Sequence, residues 1–182
     1  GATIYVQTSG DIVREFLFTD SEDAYTAQAI SMLSSHLIKQ PTQMTTLTGA
    51  IDRAESYIFM TDADGTIAIF NSNRSEKRAG WSQFTMQGSF HSLCTIDTRV
   101  YMVVAIDKGA GTSKYILCEF DSSKNTDVST IYTGSAGVFN VSSDYDNGAV
   151  LDVVSGSNYL GQFTVAGGNI DVSAVDNSLI SA

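Results

Sequence analysis

The chain has 182 residues, 43% of them apolar, which is enough for one domain or two small ones with a hydrophobic core. Ten basic residues against twenty acidic ones give a formal net charge of −10, which disfavours nucleic-acid binding and electrostatic membrane anchoring. No apolar run approaches the roughly 20 residues of a membrane-spanning helix, and no basic-then-apolar leader opens the chain, so we expect a soluble protein.

The first two β-rich runs predict a hairpin. They cover Thr3 to Gln7 and Ile12 to Phe18, and the short turn Ser9-Gly10 separates them. A later hairpin, Tyr57 to Phe70, has the same form around the turn Asp64-Gly65. We therefore interpret the first hairpin as part of an incomplete copy of the same unit.

The next segment, from about residue 20 to residue 39, is expected to form the one helix of the chain. Thr19 followed three residues later by Glu22 is a capping-box pattern, and Pro41 closes the segment. Apolar residues between them recur at helical spacing: Tyr25, Ala29, Met32, Leu33 and Leu37. A helix of this length is expected to lie against the flank of the β structure or to pack on a neighbour.

A repeated strand unit follows the predicted helix. The strand around Tyr57 returns around Tyr101, and corresponding residues of the two copies are 44 to 48 positions apart. A period of about 40 to 45 residues carrying about four strands is typical of β-propeller blades. The predicted strands are Met44–Ile51, Ser56–Thr61, Thr66–Asn71, Gly80–Met86, Phe90–Ile96, Arg99–Ile106 and Lys114–Phe120.

The last third of the chain is poor in charge and rich in Gly, Ser and Val, and a polar linker after Asp121 precedes it. It predicts a small antiparallel β module over residues 122–182. Its expected strands are Ser129–Tyr132, Gly137–Val141, Ala149–Val154, Asn158–Val165 and Asn169–Val172.

The predicted fold is therefore mostly β: open, partial propeller-like blades over residues 1–121 with one inserted helix, followed by the small antiparallel module. Residues 1–121 supply roughly half of one blade, all of a second and most of a third, whereas closed propellers use about four to eight. Because the ring cannot close from these residues alone, and because Gly1 stands where an initiating Met would, we expect a fragment of a longer protein.

Several segments occur in an order that is shared with one family of virion proteins. They are Val13–Phe16, Leu33–Ile38, Ala63–Thr66, Trp81, Phe90–Leu93, Tyr115–Ile116, Asn147–Val153 and Phe163–Ile170. In this order they resemble tail structural proteins of tailed bacteriophages, in particular the nozzle, or tail tubular protein B, of short-tailed phages.

The resemblance implies a non-enzymatic component of a phage tail. Its propeller-like body would join other tail subunits in a homo-oligomeric ring through which DNA passes without tight binding. The expected location is the virion tail, with the host cytoplasm during assembly, and no membrane contact is implied.

The residue types needed for catalysis are sparse. The chain has two histidines, His36 and His91, and no Gly-x-Ser-x-Gly, P-loop or His-Glu-x-x-His motif. We therefore predict no enzymatic activity and no cofactor. Cys94 and Cys118 lie in apolar runs without close-spaced partners, which favours two buried free thiols over a disulfide or metal role.

Two acidic turns resemble the start of a calcium-binding loop. In Asp62-Ala63-Asp64-Gly65, alternating carboxylates precede a glycine, but the following residues are strand-like and no later Glu completes the loop. A hairpin turn is therefore favoured, and Asp62 and Asp64 remain weak metal candidates. Asp144, Asp146 and Asn147 before Gly148 are interpreted in the same way.

Three residues are candidates for a ligand or subunit contact. Trp81 is a candidate sugar platform, although aromatic residues in strands more often pack in a core. The only basic cluster consists of Arg74, Lys77 and Arg78, and its two arginines are candidates to pair with carboxylates of the next subunit. The alternative function is therefore a carbohydrate-binding or receptor-binding β module of a virion or cell surface.

Overall fold

The computed structural model describes residues 2–20, 23–49, 55–73, 76, 78–109, 111–121, 123 and 128–175. Within these residues the fold is mostly β, which confirms the predicted class, and one 3-10 turn covers Ser35–Leu37. The strands are β1 (Thr3–Val6), β2 (Val13–Thr19), β3 (Ala24–Ala29), β4 (Pro41–Leu47), β5 (Ser56–Asp62), β6 (Ile67–Asn73), β7 (Arg78–Phe84), β8 (Gly88–Ile96), β9 (Arg99–Gly109), β10 (Thr112–Glu119), β11 (Val138–Asn140), β12 (Val150–Ser155), β13 (Asn158–Thr164) and β14 (Asn169–Asp171).

The described strands form five small sheets, none of which closes on itself. The first sheet has the order β1-β2-β3, the second β4-β5-β6-β7 and the third β10-β9-β8. The pairs β11-β14 and β12-β13 form the remaining two sheets. No helix in the described part of the chain has the length and apolar character needed to cross a membrane.

Contacts divide the chain into two compact units. The first comprises Gly1–Val104 and Ile116–Asp127, and the second comprises Ala105–Tyr115 and Val128–Ala182. The first unit holds the first two sheets and most of the third. The end of the β9–β10 hairpin belongs by its contacts to the second unit, together with the strands that follow it.

In the first unit, the two central strands of the second sheet are buried on both faces. Residues 58–62 of β5 and residues 67–70 of β6 are all buried. Because neighbouring side chains of a strand point to opposite faces, such continuous burial requires a covering layer on each side.

The first sheet covers one face of the second sheet. Val13 of β2 and Ile38 pack in one core cluster with Ile58, Met60 and Phe70 of the second sheet. The partly buried Ile4, Val6 and Ile30 extend this cluster. This apolar contact fixes the first sheet against the second.

The third sheet covers the opposite face of the second sheet. Phe59 meets Phe120 with ring centroids 5.2 Å apart, and Thr45 Oγ1 donates to Thr95 Oγ1 at 2.9 Å. The N–H of Leu93 in β8 donates to Gln43 Oε1 of β4 at 3.1 Å. The first unit is therefore a stack of three sheets with the four-stranded sheet in the middle.

The second unit has its own core and an internal repeat. Its buried residues Val141, Val165 and Val172 belong to one cluster. The N–H of Val141 donates to Gly168 O at 2.9 Å, and the N–H of Val172 donates to Gly137 O at 2.8 Å. These reciprocal bonds relate two similar turn-and-strand segments, at residues 135–142 and 166–173, whose strands β11 and β14 pair with each other.

The predicted helix over about residues 20–39 is wrong. Residues Ala24–Ala29 form strand β3, which pairs with β2 so that Phe18 lies opposite Tyr25 and Phe16 opposite Ala27. Leu33, which the helical pattern placed on a buried face, is 92% exposed. The same apolar residues fit alternation up to Ala29, and pairing with β2 decides the conformation because it satisfies the backbone of both strands.

The other predicted strands are largely confirmed. The seven strands expected between residues 44 and 120 appear as β4 to β10, with small shifts at their ends. In the last module, four expected strands appear as β11 to β14. The strand expected over Ser129–Tyr132 is wrong: this segment pairs with none of the described strands, and Ile131 is 88% exposed.

Candidate functional site

The turn between β5 and β6 carries the two metal candidates, Asp62 and Asp64. The carboxylate of Asp64 already binds other side chains there. Its Oδ2 accepts from Lys39 Nζ at 2.7 Å, and its Oδ1 accepts from the Thr66 hydroxyl at 2.7 Å. The hydrogen bond from Lys39 holds the pKa of Asp64 below its ordinary value. Asp64 therefore closes the turn as an ion-pair partner.

Asp62 is in a different environment. It is 3% exposed and lies at the end of β5, on the face that also carries Ile58 and Met60. Neither carboxylate oxygen has a hydrogen-bond partner in the part of the chain that the structure describes. Desolvation raises its pKa to about 6, while the nearby backbone and charge of Lys39 offset part of the effect without reaching hydrogen-bond geometry with the carboxylate.

These two carboxylates are not joined by further ligands. Among the described residues there is no group of three or more His, Cys, Asp or Glu side chains placed to hold a metal ion. The turn is thus a hairpin turn that combines one paired and one buried carboxyl group.

Trp81 lies between the first and second sheets. Its Nε1 donates to the backbone oxygen of Ile30 at 2.8 Å, and its ring centroid is 4.9 Å from that of Phe70. The indole is part-buried in the core cluster of this interface. Its ring is used for packing, so it does not present an open platform.

Arg78, at the start of β7, lines a shallow polar groove of about 260 Å³. The groove is also lined by Glu55, Asn71, Asn73 and Glu76. Among the described lining residues, the carboxylates of Glu55 and Glu76 accompany the cationic side chain of Arg78. Arg74 and Lys77, the other members of the predicted basic cluster, lie outside the described residues.

The open face of the first sheet carries a cluster of aromatic side chains that we call the aromatic face: Tyr5, Phe16, Phe18 and Tyr25. Phe16 and Tyr25 are stacked, with centroids 5.1 Å apart and ring planes 8° apart, and Phe18 meets Tyr25 edge-on at 5.2 Å. Tyr25 remains 66% exposed. Stacking orders the rings while a large part of their surface stays in water.

The open face of the third sheet is also apolar, and we call it the third-sheet face: Ile96, Tyr101, Val103 and Leu117. Phe120 and Thr95, on the opposite face, contact the second sheet, so strand alternation places these four residues outward. Ile96 is 62% and Leu117 72% exposed. Arg99 pairs with Glu119 at 3.3 Å at the end of the same hairpin.

In the second unit, lysines meet the other acidic turn. Asp144 pairs with Lys114 and accepts from the Tyr132 hydroxyl at 2.5 Å, and Asp146 pairs with Lys108 at 3.1 Å. The bond from Lys114 lowers the pKa of Asp144. Both carboxylates are ion-paired with lysines of the β9–β10 hairpin, so this turn holds the end of that hairpin in place.

The remaining candidate chemistry is limited. His91 Nε2 lies 3.2 Å from Ser89 Oγ on the exposed start of β8, and His36 lies in the 3-10 turn. Both cysteines are free, and Cys118 is half-buried. The expectation that Cys94 is buried is wrong, because it lies on the open face of β8 and is exposed.

Comparison with known proteins adds no relative. No protein-family model matches the sequence, and no curated protein matches it significantly.

The two open apolar faces are the features that sequence reasoning missed. Tyr25 was assigned to a helix, which separated it from Phe16 and Phe18. The available signal was the period-two pattern Tyr25, Ala27, Ala29 following Phe16 and Phe18. If the two segments are strands joined by a short turn, this pattern places all of these residues on one face of the sheet.

Proposed function

We propose that the chain is a non-enzymatic structural component of a phage tail, a piece of a nozzle or tail-tube ring and a fragment of a longer protein. In this proposal the three stacked sheets of the first unit are consecutive blades of an open, propeller-like body. Other tail subunits are its partners, and the virion tail is its location after assembly in the host cytoplasm.

One observation carries the proposal: the two copies of the sequence repeat occupy corresponding hairpins in adjacent, face-to-face sheets. The first copy forms β5 and β6 in the second sheet, and the second forms β9 and β10 in the third. Radial repetition of small antiparallel sheets is the construction principle of propellers. The ordered resemblance to nozzle proteins supports the same assignment.

The test is to locate the chain in virus particles. An antibody against the purified chain is expected to label the tail of tailed particles from the culture that carries the gene, and pre-immune serum is not. Mass spectrometry of the same purified particles is expected to detect the chain. Its absence from particles, with recovery only in the cell fraction, would contradict a structural tail role.

A carbohydrate-binding or receptor-binding module is the second candidate, and the aromatic face favours it. Ordered, exposed rings are suited to the apolar faces of sugars, and this face, unlike Trp81, is open to solvent. A glycan array with reproducible hits that disappear in Tyr25→Ser would support it. Leu33→Ser, which changes an exposed apolar residue elsewhere, is the matched control and is expected to retain the hits.

A further inference from the structure

One motif of the second unit has no role in either proposed function: the pair Asn147-Gly148, which follows the acidic turn and precedes β12. It is the only Asn-Gly pair in the sequence. Asparagine loses its side-chain amide most readily before glycine, because glycine has no Cβ to hinder the reaction and leaves the backbone free to turn. Both residues are exposed, so water reaches them. The pair is therefore chemically suited to deamidation.

Deamidation of this pair proceeds through a cyclic imide. The backbone nitrogen of Gly148 gives up its proton and forms a bond to Cγ of Asn147, while the bond from Cγ to the side-chain nitrogen breaks. That nitrogen leaves as ammonia, and water then opens the imide at one of its two carbonyl carbons. One ammonia is lost and one water is gained. Residue 147 becomes aspartate, or isoaspartate, in which the backbone runs through the former side chain.

In the closed structure, both reacting groups are held by the second segment of the internal repeat. The N–H of Gly148 donates to Val165 O at 2.9 Å. Asn147 Oδ1 accepts from the N–H of Gly168 at 2.8 Å. The attacking nitrogen is thus tied through its proton, and the amide that it must attack is turned toward Gly168. Ring formation requires this turn to separate from residues 165–168.

The contacts beside the pair make such a separation a cooperative event. The N–H of Val165 donates to Ala149 O at 2.8 Å, and both residues are buried in the core cluster of the second unit. A hydrogen bond that lies next to a buried apolar contact opens together with that contact. The reactive pair is therefore shielded for as long as this core stays closed.

We propose that Asn147 is a deamidation site that the closed second unit protects and that opening of its internal repeat releases for reaction. The inference depends only on the contacts within this unit. It holds whether the chain is a tail component or a carbohydrate-binding module.

The products close less well than the original chain. Isoaspartate adds a methylene group to the backbone before Gly148, which displaces its N–H from Val165 O. Both products also add a negative charge beside the acidic turn, whose two carboxylates already use the lysines of the β9–β10 hairpin. Because the reaction is irreversible, deamidation is a lasting record that the unit has opened.

The first test compares the full chain in its folded state with the same chain in urea, both at mildly alkaline pH. Peptide mass spectrometry measures deamidation at Asn147 and at Asn140, an internal reference that is followed by Val141. In urea, Asn147 is expected to react much faster than Asn140, and folding is expected to slow Asn147 by about tenfold or more. Equal rates for Asn147 in the two states would overturn the proposal.

Two glycine variants test whether the contact at residue 168 provides the protection. A Cβ at Gly168 would lie 2.9 Å from Ser142 Cβ, whereas a Cβ at Gly167 would meet no atom within 4 Å. Gly168→Ala is expected to displace the donor to Asn147 and to speed deamidation of the folded chain several-fold more than Gly167→Ala does. Circular dichroism establishes that each variant is folded. Equal acceleration by both variants would contradict a lock at this contact. The comparison of the wild-type chain in the two states needs neither variant.

Asn147→Gln tests the consequence of the modification. Glutamine keeps the amide, but its longer side chain closes an imide ring far more slowly. After alkaline treatment in urea and refolding, the modified wild-type fraction is separated by ion exchange, and isoaspartyl methyltransferase with a labelled methyl donor measures its isoaspartate. This fraction is expected to unfold at a lower temperature than the unmodified fraction. Asn147→Gln is expected to pass through the same treatment with its unfolding temperature unchanged. Equal unfolding temperatures for the two wild-type fractions would show that the unit closes again after modification, contrary to the proposal.

Discussion

At the scale of single residues, Asp62 shows a conflict between local chemistry and fold. It occupies a buried strand position between two sheets, and none of the described residues hydrogen-bonds its carboxyl group. Burial favours the neutral form of such a group, because an ionised carboxylate loses its hydration. The protonation state of Asp62 therefore affects how well the first two sheets pack.

This conflict predicts a pH dependence of stability. The pKa of Asp62 rises from an ordinary 3.8 to about 6 on folding, so its stabilising effect is complete below pH 3.8 and is lost as the pH rises through about 6. The shift corresponds to about 3 kcal/mol in the free energy of unfolding. Urea unfolding from acid to neutral pH is expected to show this loss in the wild type and to lack it in Asp62→Asn.

Asp64→Asn is the control, and its expected effect has the opposite sign. The pKa of Asp64 is lowered in the folded chain, so its ion pair with Lys39 stabilises the fold above its ordinary pKa and is lost in acid. Asp64→Asn is therefore expected to lose stability at neutral pH only. If Asp62→Asn followed the same pH profile as Asp64→Asn, burial of Asp62 would not be the cause.

Trp81 provides a second prediction at this scale. Trp81→Phe keeps an aromatic ring but removes the donor to the Ile30 carbonyl, which then stays without that partner in a part-buried position. We expect the free energy of unfolding to fall by about 1–3 kcal/mol. Tyr159→Phe, which removes an exposed hydrogen bond to Asp152, is expected to change it by less than about 0.5 kcal/mol. Equal losses in thermal unfolding would argue against a packing role for Trp81.

At the scale of elements, the glycine turns of the second unit support its internal repeat. Gly168 has a φ of +76°, and a Cβ at this position would lie 2.9 Å from Ser142 Cβ. Its counterpart Gly137 is confined in the same way by Ser173. Each segment of the repeat therefore depends on a glycine because the other segment passes directly beside it.

Substitution of two neighbouring glycines in one turn separates the cost of backbone strain from the cost of a steric clash. Gly167→Ala meets only the strain of a left-handed conformation, since no atom lies within 4 Å of its Cβ position, and is expected to cost about 1–2 kcal/mol. Gly168→Ala adds the clash with Ser142 and is expected to cost more. Chemical denaturation of both variants measures the difference. A smaller loss for Gly168→Ala would mean that the repeat segments are not held at this contact.

The elements that the sequence predicted well are those whose apolar residues support one conformation only. β5 and β6 are continuous apolar runs of strand length, and their burial on both faces follows from that pattern. Tyr25 to Ala29 fits both a helical and an alternating pattern, and pairing with β2 selects the strand. Long-range pairing of this kind is not contained in local periodicity.

The residues of the candidate site were also predictable only where the local sequence determines their structure. Turn residues such as Asp64 were placed correctly in a hairpin, because Asp-Gly between two apolar runs specifies its own turn. The burial of Asp62 and the exposure of the aromatic face depend on which sheet faces lie next to each other. That information comes from tertiary packing, so neither property could be predicted from the sequence.

At the scale of the whole molecule, net charge limits what the proposed ring can do with nucleic acid. Twenty acidic residues outnumber ten basic ones, and the described lysines 39, 108 and 114 are paired with carboxylates. Phosphate binding requires cations that release the counterions of DNA. An acidic wall instead repels phosphates, which suits passage of DNA without retention.

This reasoning predicts that the purified chain does not bind duplex DNA tightly at physiological salt. Fluorescence anisotropy with a labelled duplex is expected to show no saturable binding, and lowering the salt is expected to produce no steep gain in affinity. Arg78→Ala is the informative variant, because Arg78 is the described member of the only basic cluster in the sequence. If Arg78 contacted a phosphate, this variant would weaken binding and reduce the salt slope by about one. Tight, salt-dependent binding that Arg78→Ala weakens would show that the groove at β7 holds DNA, contrary to a wall that lets it slide.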